Sequence, residues 1–362
     1  MWDVIIVGGG PGGAIASKKC AEQNLKTLLL EKKRLPREKI CSGIISPMAQ
    51  SIVKQEFGEI PSEVLTSPQY LSGIRFHVSG VEDEQIGVKL HHTWRRDLDH
   101  WFVRKAQQAG VHVWEKTRVT HVTENPWGYL LKLNRENKET EVIGKFIIGA
   151  DGATSIVRKC LFPQLKVYYQ LGYRECYKIN LGLDKHYLHF FTSPDLSPYF
   201  FDVISKGEFT LIEIGTKAKG LKTLVNQAHD ILANNFGFER GSQPLWCDAG
   251  AIPILYRELL SGSFLPSKGN SLLVGDAAGF ILPISGEGIR TALESGLWAA
   301  ISVIEARKNN IKASDIYMGK LNGLLSRLGE LSLCSRKLFE QKYEARWNLL
   351  LKEAWQKAIG LN

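Results

Sequence analysis

The sequence predicts an α/β protein: a doubly wound parallel sheet, an inserted, mainly antiparallel β-sheet domain, and a C-terminal helical tail. Three observations lead there. Trp2–Val7, Phe146–Ile148 and Ser271–Val274 are short, mostly apolar runs of the kind that form parallel strands buried on both faces. Each run ends in a distinctive group: the glycine cluster Gly8–Gly13, Asp151-Gly152, and Gly275-Asp276. Between the second and third runs, Val167 to Gly215 is aromatic and β-rich, and the chain beyond Arg307 reads as helical.

The opening run enters Gly8-x-Gly10-x-x-Gly13, and a helix follows over Ala14–Gln23. The first glycine allows a tight turn, the second lets backbone approach a pyrophosphate, and the third lets helix pack close on strand. Pro11 and Gly12 lie inside the same turn. The helix N-terminus offers free N–H groups and partial positive charge to phosphates. A second strand, Thr27–Leu30, ends on Glu31, at about the ~20-residue spacing expected of an acid that takes ribose hydroxyls. That carboxylate suits the unphosphorylated adenosine ribose of FAD or NAD better than that of NADP. The unit is Rossmann-like.

Lys32–Arg37 is a basic loop leading to Lys39-Ile40-Cys41-Ser42-Gly43, and the stretch to about Ile60 reads as helical. Tyr70–Lys89 alternates as strands do. A helix follows Arg95 with Leu98, Trp101, Phe102 and Ala106 at helical spacing, and Gly110 ends it. Val111–Trp114, Thr117–Val119 and Val122 read as strands, and Trp127–Asn134 with Glu139–Ile143 as a hairpin. Leu221–Phe236 and Gly286–Arg307 read as helices. Parallel strands bring their C-terminal ends to one edge of a sheet, so the three distinctive groups should converge on one bound molecule.

A chain of 362 residues exceeds the usual single-core limit of ~250–300, so two interwoven domains are expected. We place the dinucleotide domain at 1–70, 95–165 and 265–305, a substrate domain at 71–94 and 166–264, and the helical region at 306–362. With 44% hydrophobic and 23% charged residues the composition is that of a globular protein. No apolar run approaches the ~18–20 residues of a membrane span. The motif strand begins at residue 2, which leaves no leader to cleave and points to a cytoplasmic protein. The six cysteines show no C-x-x-C and no metal spacing, so no metal is expected. The net charge of +9 can mean nucleic acid, an anionic lipid or an anionic substrate, or simply a generally basic surface; no nucleic-acid partner is expected.

Four motifs together carry a family resemblance. They are Gly8-x-Gly10-x-x-Gly13 with Glu31; Arg95-x-x-Leu98-Asp99; Gly149-Ala150-Asp151-Gly152-Ala153-x-Ser155-x-x-Arg158; and Gly275-Asp276-Ala277-Ala278-Gly279 followed by Pro283-x-x-Gly286-Glu287-Gly288-Ile289. The chain resembles the FAD-dependent oxidoreductases of the para-hydroxybenzoate hydroxylase superfamily, and within it the geranylgeranyl reductase family. The resemblance implies FAD as cofactor. It implies that Asp276 accepts from a ribityl hydroxyl and that Gly286, Gly288 and Ile289 present N–H groups to the flavin. Pro283 then packs near the isoalloxazine, Arg95 faces the phosphate or ribityl region, and Val119 meets the adenine through its backbone. Asp151 and Gly152 come near the ribityl or pyrophosphate; Asp151 as a plain helix cap is the bland alternative.

Lys39-x-Cys41-Ser42-Gly43 resembles the reductases' K-x-C-G-G-G stretch, which passes near the flavin, with Ser42 in place of a glycine. Cys41 could supply the proton that accompanies hydride transfer, or could be a small buried hydrophobe. In the middle, Pro198-Tyr199-Phe200-Phe201-Asp202-Val203-Ile204 stands where the reductases carry Tyr-x-Trp-x-Phe-Pro. An aromatic strand survives without the Trp and Pro, which suits a hydrophobic small-molecule substrate or plain sheet packing. Leu321, Leu324, Leu325, Leu328, Leu331, Phe339, Tyr343, Trp347, Leu350, Leu351 and Trp355 form a stripe that is either core packing or a face for peripheral membrane contact. The expected activity is reduction of carbon–carbon double bonds in an isoprenoid or similar chain, with NAD(P)H or a ferredoxin as electron donor. The alternative is an FAD-dependent monooxygenase, hydroxylating or epoxidising through a flavin hydroperoxide.

Overall fold

In the computed structural model, which describes residues 1–80, 82–193, 196, 200–217, 219–340 and 347–361, the opening apolar run becomes β1 (Trp2–Val7). There follow α1 (Pro11–Glu22), β2 (Thr27–Leu30), β3 (Ile44–Ile45), α2 (Pro47–Phe57), β4 (Leu65–Val78), β5 (Glu84–Thr93) and α3 (Arg95–Gln108). Next come β6 (His112–Trp114), β7 (Thr117–Asn125), β8 (Gly128–Arg135), β9 (Lys138–Gly149), α4 (Ile156–Leu161), β10 (Tyr168–Tyr177), β11 (Tyr187–Thr192), β12 (Phe200–Lys206) and β13 (Phe209–Thr216). The chain continues through α5 (Leu221–Phe236), β14 (Trp246–Ile254), α6 (Tyr256–Leu260), β15 (Ser267–Lys268), β16 (Ser271–Leu273), α7 (Ile289–Asn309), α8 (Ala313–Lys320), α9 (Asn322–Glu340) and α10 (Trp347–Ile359).

The first sheet runs β15-β16-β9-β1-β2-β6, with the β7–β8 hairpin joined to β9. Its β16-β9-β1-β2-β6 pairs are all parallel, although β16 enters over 260 residues after β1. Val4, Ile5, Ile6, Leu28, Leu29, Ile147 and Ile148 have no exposed surface, which is why these segments read as continuous apolar runs. Each such side chain contributes about 1.5–3 kcal/mol of burial. Helix α1 packs against α7 and α3.

The second sheet runs β14-β10-β13-β12-β11-β4-β5-β3 and is antiparallel except for the β11–β4 pair. One face packs on α5 through Leu224, Ala228 and Leu232. The other packs on α10 through Trp347, Leu351, Trp355 and Ile359.

Local details differ from expectation. Helix α1 starts at Pro11 rather than Ala14, because proline at the first helical position loses no hydrogen bond. Helix α7 starts at Ile289 rather than Gly286, after a turn in which Ile284 has φ +74°. The hairpin arm at Glu139 and the run at Phe146 are one strand, β9, antiparallel to β8 on one side and parallel to β1 on the other. The C-terminal stripe packs inward: Leu321, Leu324, Leu328 and Leu331 join the core of the first sheet, and Trp347, Leu351 and Trp355 that of the second. Leu325 is partly buried there and Leu350 is exposed. Tyr343, Pro198 and Tyr199 lie outside the described residues, as does the Phe339 side chain. Among the described residues no helix is long and apolar enough to cross a membrane.

Candidate active site

Gly8 has φ +109°, and a Cβ there would stand 2.3 Å from the Ala150 carbonyl oxygen. A Cβ on Gly13 would stand 1.9 Å from the Gly8 oxygen. Both positions therefore exclude any side chain. Gly10, the N-cap of α1, has room for a Cβ instead, which would meet the Arg37 and Arg95 guanidiniums at 3.9 Å. The first turn of α1, Pro11–Gly12–Gly13, leaves amides without an intrahelical acceptor next to it. Arg95 donates to both oxygens of Asp99 (2.8 and 2.9 Å), and Arg37 to one (2.9 Å). Asp99 is fully buried. Burial opposes the Arg95 charge, but Asp99 and Cys41 beside it raise its pKa above the ordinary arginine range. Glu31 is buried at the end of β2 and accepts from the Gly9 N–H (3.0 Å), the Lys33 N–H (2.9 Å) and Arg37 (3.2 Å).

Two guanidiniums beside a glycine turn and a helix N-terminus are groups that suit a diphosphate, and the acid beside them suits a ribose. These residues fit the adenosine diphosphate half of FAD. Val119 lies buried on β7, two residues beyond Thr117, whose N–H donates to the Glu31 carbonyl.

The third and fourth motifs meet through Arg158. Its fully buried guanidinium donates to the carbonyls of Ala277 (2.7 Å) and Asp276 (3.3 Å). The Asp151 carboxylate is engaged at α4, accepting from the N–H groups of Ile156 and Val157 (2.6 and 3.2 Å). Burial pushes its pKa up against those hydrogen bonds. The Asp151 backbone nevertheless abuts the glycine turn: its Cα would lie 3.0 Å from a Cβ on Gly8. Gly152 follows with φ +79° and open space around it.

Asp276 sits beside the start of α7, where a Cβ on Gly288 would stand 3.4 Å from its Oδ1. The N–H of Gly286 donates to Leu282 O and that of Leu282 to Glu287 O, closing a tight turn around buried Pro283. The turn delivers Gly288 and Ile289 to the head of α7, where the first amides have no intrahelical acceptor. A φ of +74° at the β-branched Ile284 stores strain of order 1–3 kcal/mol in this turn. Asp276 with the α7 N-terminus fits the flavin half of FAD: an acceptor for hydroxyls and a positive helix end.

The Lys39–Gly43 segment bridges this cleft and the second sheet. Lys39 pairs with Asp276 (3.3 Å). The Cys41 thiol is within hydrogen-bonding reach of Arg95, and its carbonyl accepts from Arg174 of β10 (3.0 Å). The Cys41 sulfur also accepts from the Gly43 N–H (3.3 Å), while the Gly43 carbonyl accepts from the Thr93 N–H (3.0 Å). Ser42 lies between them, partly exposed.

Sequence reasoning missed Arg37, Asp99's role as a shared counter-ion, and the buried pair Glu287–Arg290. Glu287 accepts from Ser46, while Arg290, with no exposed surface, donates to Ala358 O of α10 (2.6 Å). Arg37 carried no signal beyond a basic loop. Glu287 and Arg290 lay inside and beside a motif whose glycines drew attention first.

The chain is similar to known proteins in sequence and in fold. Residues 1–171 match the family model of the FAD binding domain. Digeranylgeranylglycerophospholipid reductase of Thermoplasma volcanium is 27% identical, over 96% of this chain and 86% of that protein. The same enzyme of Methanocaldococcus jannaschii is 28% identical, over 86% and 78%. Among solved structures, a geranylgeranyl bacteriochlorophyll reductase-like protein from Thermoplasma acidophilum superposes with a TM-score of 0.82 at 20% identity, over 98% of this chain and 91% of that one. The flavin-dependent halogenase CmlS superposes with a TM-score of 0.75 at 14% identity, over 99% and 70%.

Proposed function

We propose that this chain, a geranylgeranyl reductase-like FAD-dependent oxidoreductase, reduces carbon–carbon double bonds of an isoprenoid or similar hydrophobic substrate. The observation that carries the reading is the seating of Lys39–Gly43. The segment that distinguishes reductases from hydroxylases in this superfamily touches Asp276 and Arg95 on one side and Arg174 on the other. Relatives named for the reduction of a digeranylgeranyl lipid, matching over most of the chain, support the substrate class.

FAD, when bound, supplies hydride. The protein's share is binding, orientation and a proton. Gly8, Gly10, Gly13, Arg37, Arg95 and Glu31 hold the adenosine diphosphate end. Asp276, Pro283, Gly286, Gly288 and Ile289 hold the flavin end, where the positive end of α7 favours added negative charge. Cys41 Sγ, beside the Arg95 guanidinium, gives a proton to the carbon that does not receive hydride. Substrate delivery from a membrane surface fits a basic chain. NAD(P)H or a ferredoxin-type protein supplies electrons.

The test is anaerobic. Protein loaded with FAD is reduced chemically and mixed with a polyprenyl alkene, and products are weighed by mass spectrometry. A saturated bond formed without oxygen supports the reading. Oxygen in the product, or reaction only in air, would establish a monooxygenase instead.

A further inference from the structure

Strand register alone sets a row of side chains on the face of the second sheet that meets Cys41. Directly opposed across β4, β11, β12, β13, β10 and β14 stand Phe76, Phe190, Asp202, Glu213, Arg174 and Asp248. Directly paired residues share a face. The row has two halves. Phe76 and Phe190 lie 5.8 Å apart under Trp355 of α10. The other half is ionisable. Glu213 lies 3.5 Å from Arg174, which makes two hydrogen bonds to Asp248 (3.0 and 2.7 Å) and one to the Cys41 carbonyl. Lys206, on the same face of β12, is fully buried and donates to Thr93 O (2.7 Å).

Asp202 stands where the row turns from apolar to charged. It faces Glu213, and its buried Oδ1 has no hydrogen-bond partner. Three carboxylates here meet two cations, so the cluster lacks one positive charge. Two carboxylates held side by side away from water cannot both ionise cheaply, and one proton between them supplies the missing charge. Burial, then the Glu213 charge, holds the Asp202 carboxyl well above the usual carboxylate range. Burial pushes Lys206 down to about 8. The Cys41 segment seats on this cluster: Arg174 donates to the Cys41 carbonyl, and a Cβ on Gly43, two residues on, would stand 3.0 Å from the Lys206 ammonium.

We propose that Asp202 and Glu213 hold one proton between them at neutral pH and return it to Cys41 after each turnover. The inference rests on Cys41 as proton donor. When the Cys41 S–H bond breaks and the proton passes to substrate carbon, a thiolate remains between Arg95 and Arg174. The Asp202 O–H bond then breaks as the S–H bond re-forms, and no electrons change hands. Glu213, whose side chain keeps 11% of its surface exposed, is where water restores the proton to the pair; Asp248 only balances the charge of Arg174, which cannot pass a proton on. Asp202 and Glu213 thus act through Cys41 and do not touch substrate.

Asp202→Asn keeps the shape of the neutral acid and cannot give up a proton; Glu213→Gln is its partner control. Infrared difference spectra of the FAD-loaded protein in H2O and D2O at pH 7 should show a protonated-carboxyl C=O band, absent from Asp202→Asn. Under the anaerobic assay with dithionite in excess to re-reduce FAD after each turnover, Asp202→Asn should form one equivalent of product at the parent rate and then turn over at least tenfold slower. Loss of the burst together with the steady rate would indicate a structural role and overturn the proposal. So would absence of the carboxyl band from the parent, or an unchanged steady rate in both variants. A parent that shows the band but reduces no alkene refutes the functional reading and the reloading of Cys41 with it, leaving only a shared proton; the two failures are therefore distinguishable.

Discussion

Asp99→Asn should separate the two roles of the arginine cradle. Asp99 is fully buried and is the carboxylate that pairs with Arg95; Arg37 also keeps Glu31 at 3.2 Å. The substitution therefore leaves one buried guanidinium without a counter-ion. Breaking a buried pair in this way costs about 3–5 kcal/mol. At 1.36 kcal/mol per decade that is roughly two to four powers of ten in the unfolding equilibrium. It is a large part of the ~5–15 kcal/mol that stabilises a typical protein. The assay is urea unfolding of the apoprotein followed by tryptophan fluorescence. Asp97→Asn on the same helix, with a 38% exposed side chain, is the control and should stay within about 0.5 kcal/mol of the parent. Because Arg37 and Arg95 converge beside Gly10, a bound diphosphate can replace the lost charge. FAD should then restore more stability to Asp99→Asn than it adds to the parent. Unfolding of apo Asp99→Asn at the parent's urea midpoint would refute the energetic argument. Equal gains from FAD would refute the claim that these arginines face the phosphates.

Mass analysis of cofactor released from reconstituted protein should find FAD; FMN alone would contradict the cradle at Gly8–Glu31. Asp276→Ala should lower flavin content more than Asp151→Ala, because the Asp151 carboxylate is spent on α4; Asp151→Ala should instead lose about 0.5–2 kcal/mol of stability, as cap removal does. Cys41→Ser should slow anaerobic alkene reduction by about 10²–10⁴-fold with FAD retained, and a parent-like rate would make Cys41 a packing residue. Lys206, pushed from the usual 10.5 down to about 8, binds fewer protons folded than unfolded between those values. Stability should therefore rise with pH across that window, with the full cost of burying its charge felt below pH 8. Lys206→Met should flatten that rise, and a parallel pH profile in the two proteins would show that another group titrates.

The cofactor half of the molecule was legible because its signals are local. A buried parallel strand must be apolar on both faces, so Trp2–Val7, Phe146–Ile148 and Ser271–Leu273 announced themselves. Gly8 and Gly13 were legible because backbone oxygens at 2.3 and 1.9 Å leave no room for a Cβ. The helix of α5 was expected over the span observed, and its ends fall at Gly220 and Gly237, which both take the left-handed conformation that favours glycine. The fate of the C-terminal stripe was not legible, because an apolar face looks the same whether it meets a core or a lipid.

Sequence alone thus determined the fold class and the places where backbone must approach a dinucleotide. Those demands act between residues that are neighbours in the chain or recur at a fixed period. Tertiary structure decided the charges: Arg37 with Asp99, Arg158 with Ala277, Lys39 with Asp276, and the row from Asp202 to Asp248. These partners are brought together by sheet order and register, so which carboxylate meets which cation is set only when distant strands pair. An ion or a proton held between such groups depends on burial and distance, which no spacing in a linear chain records.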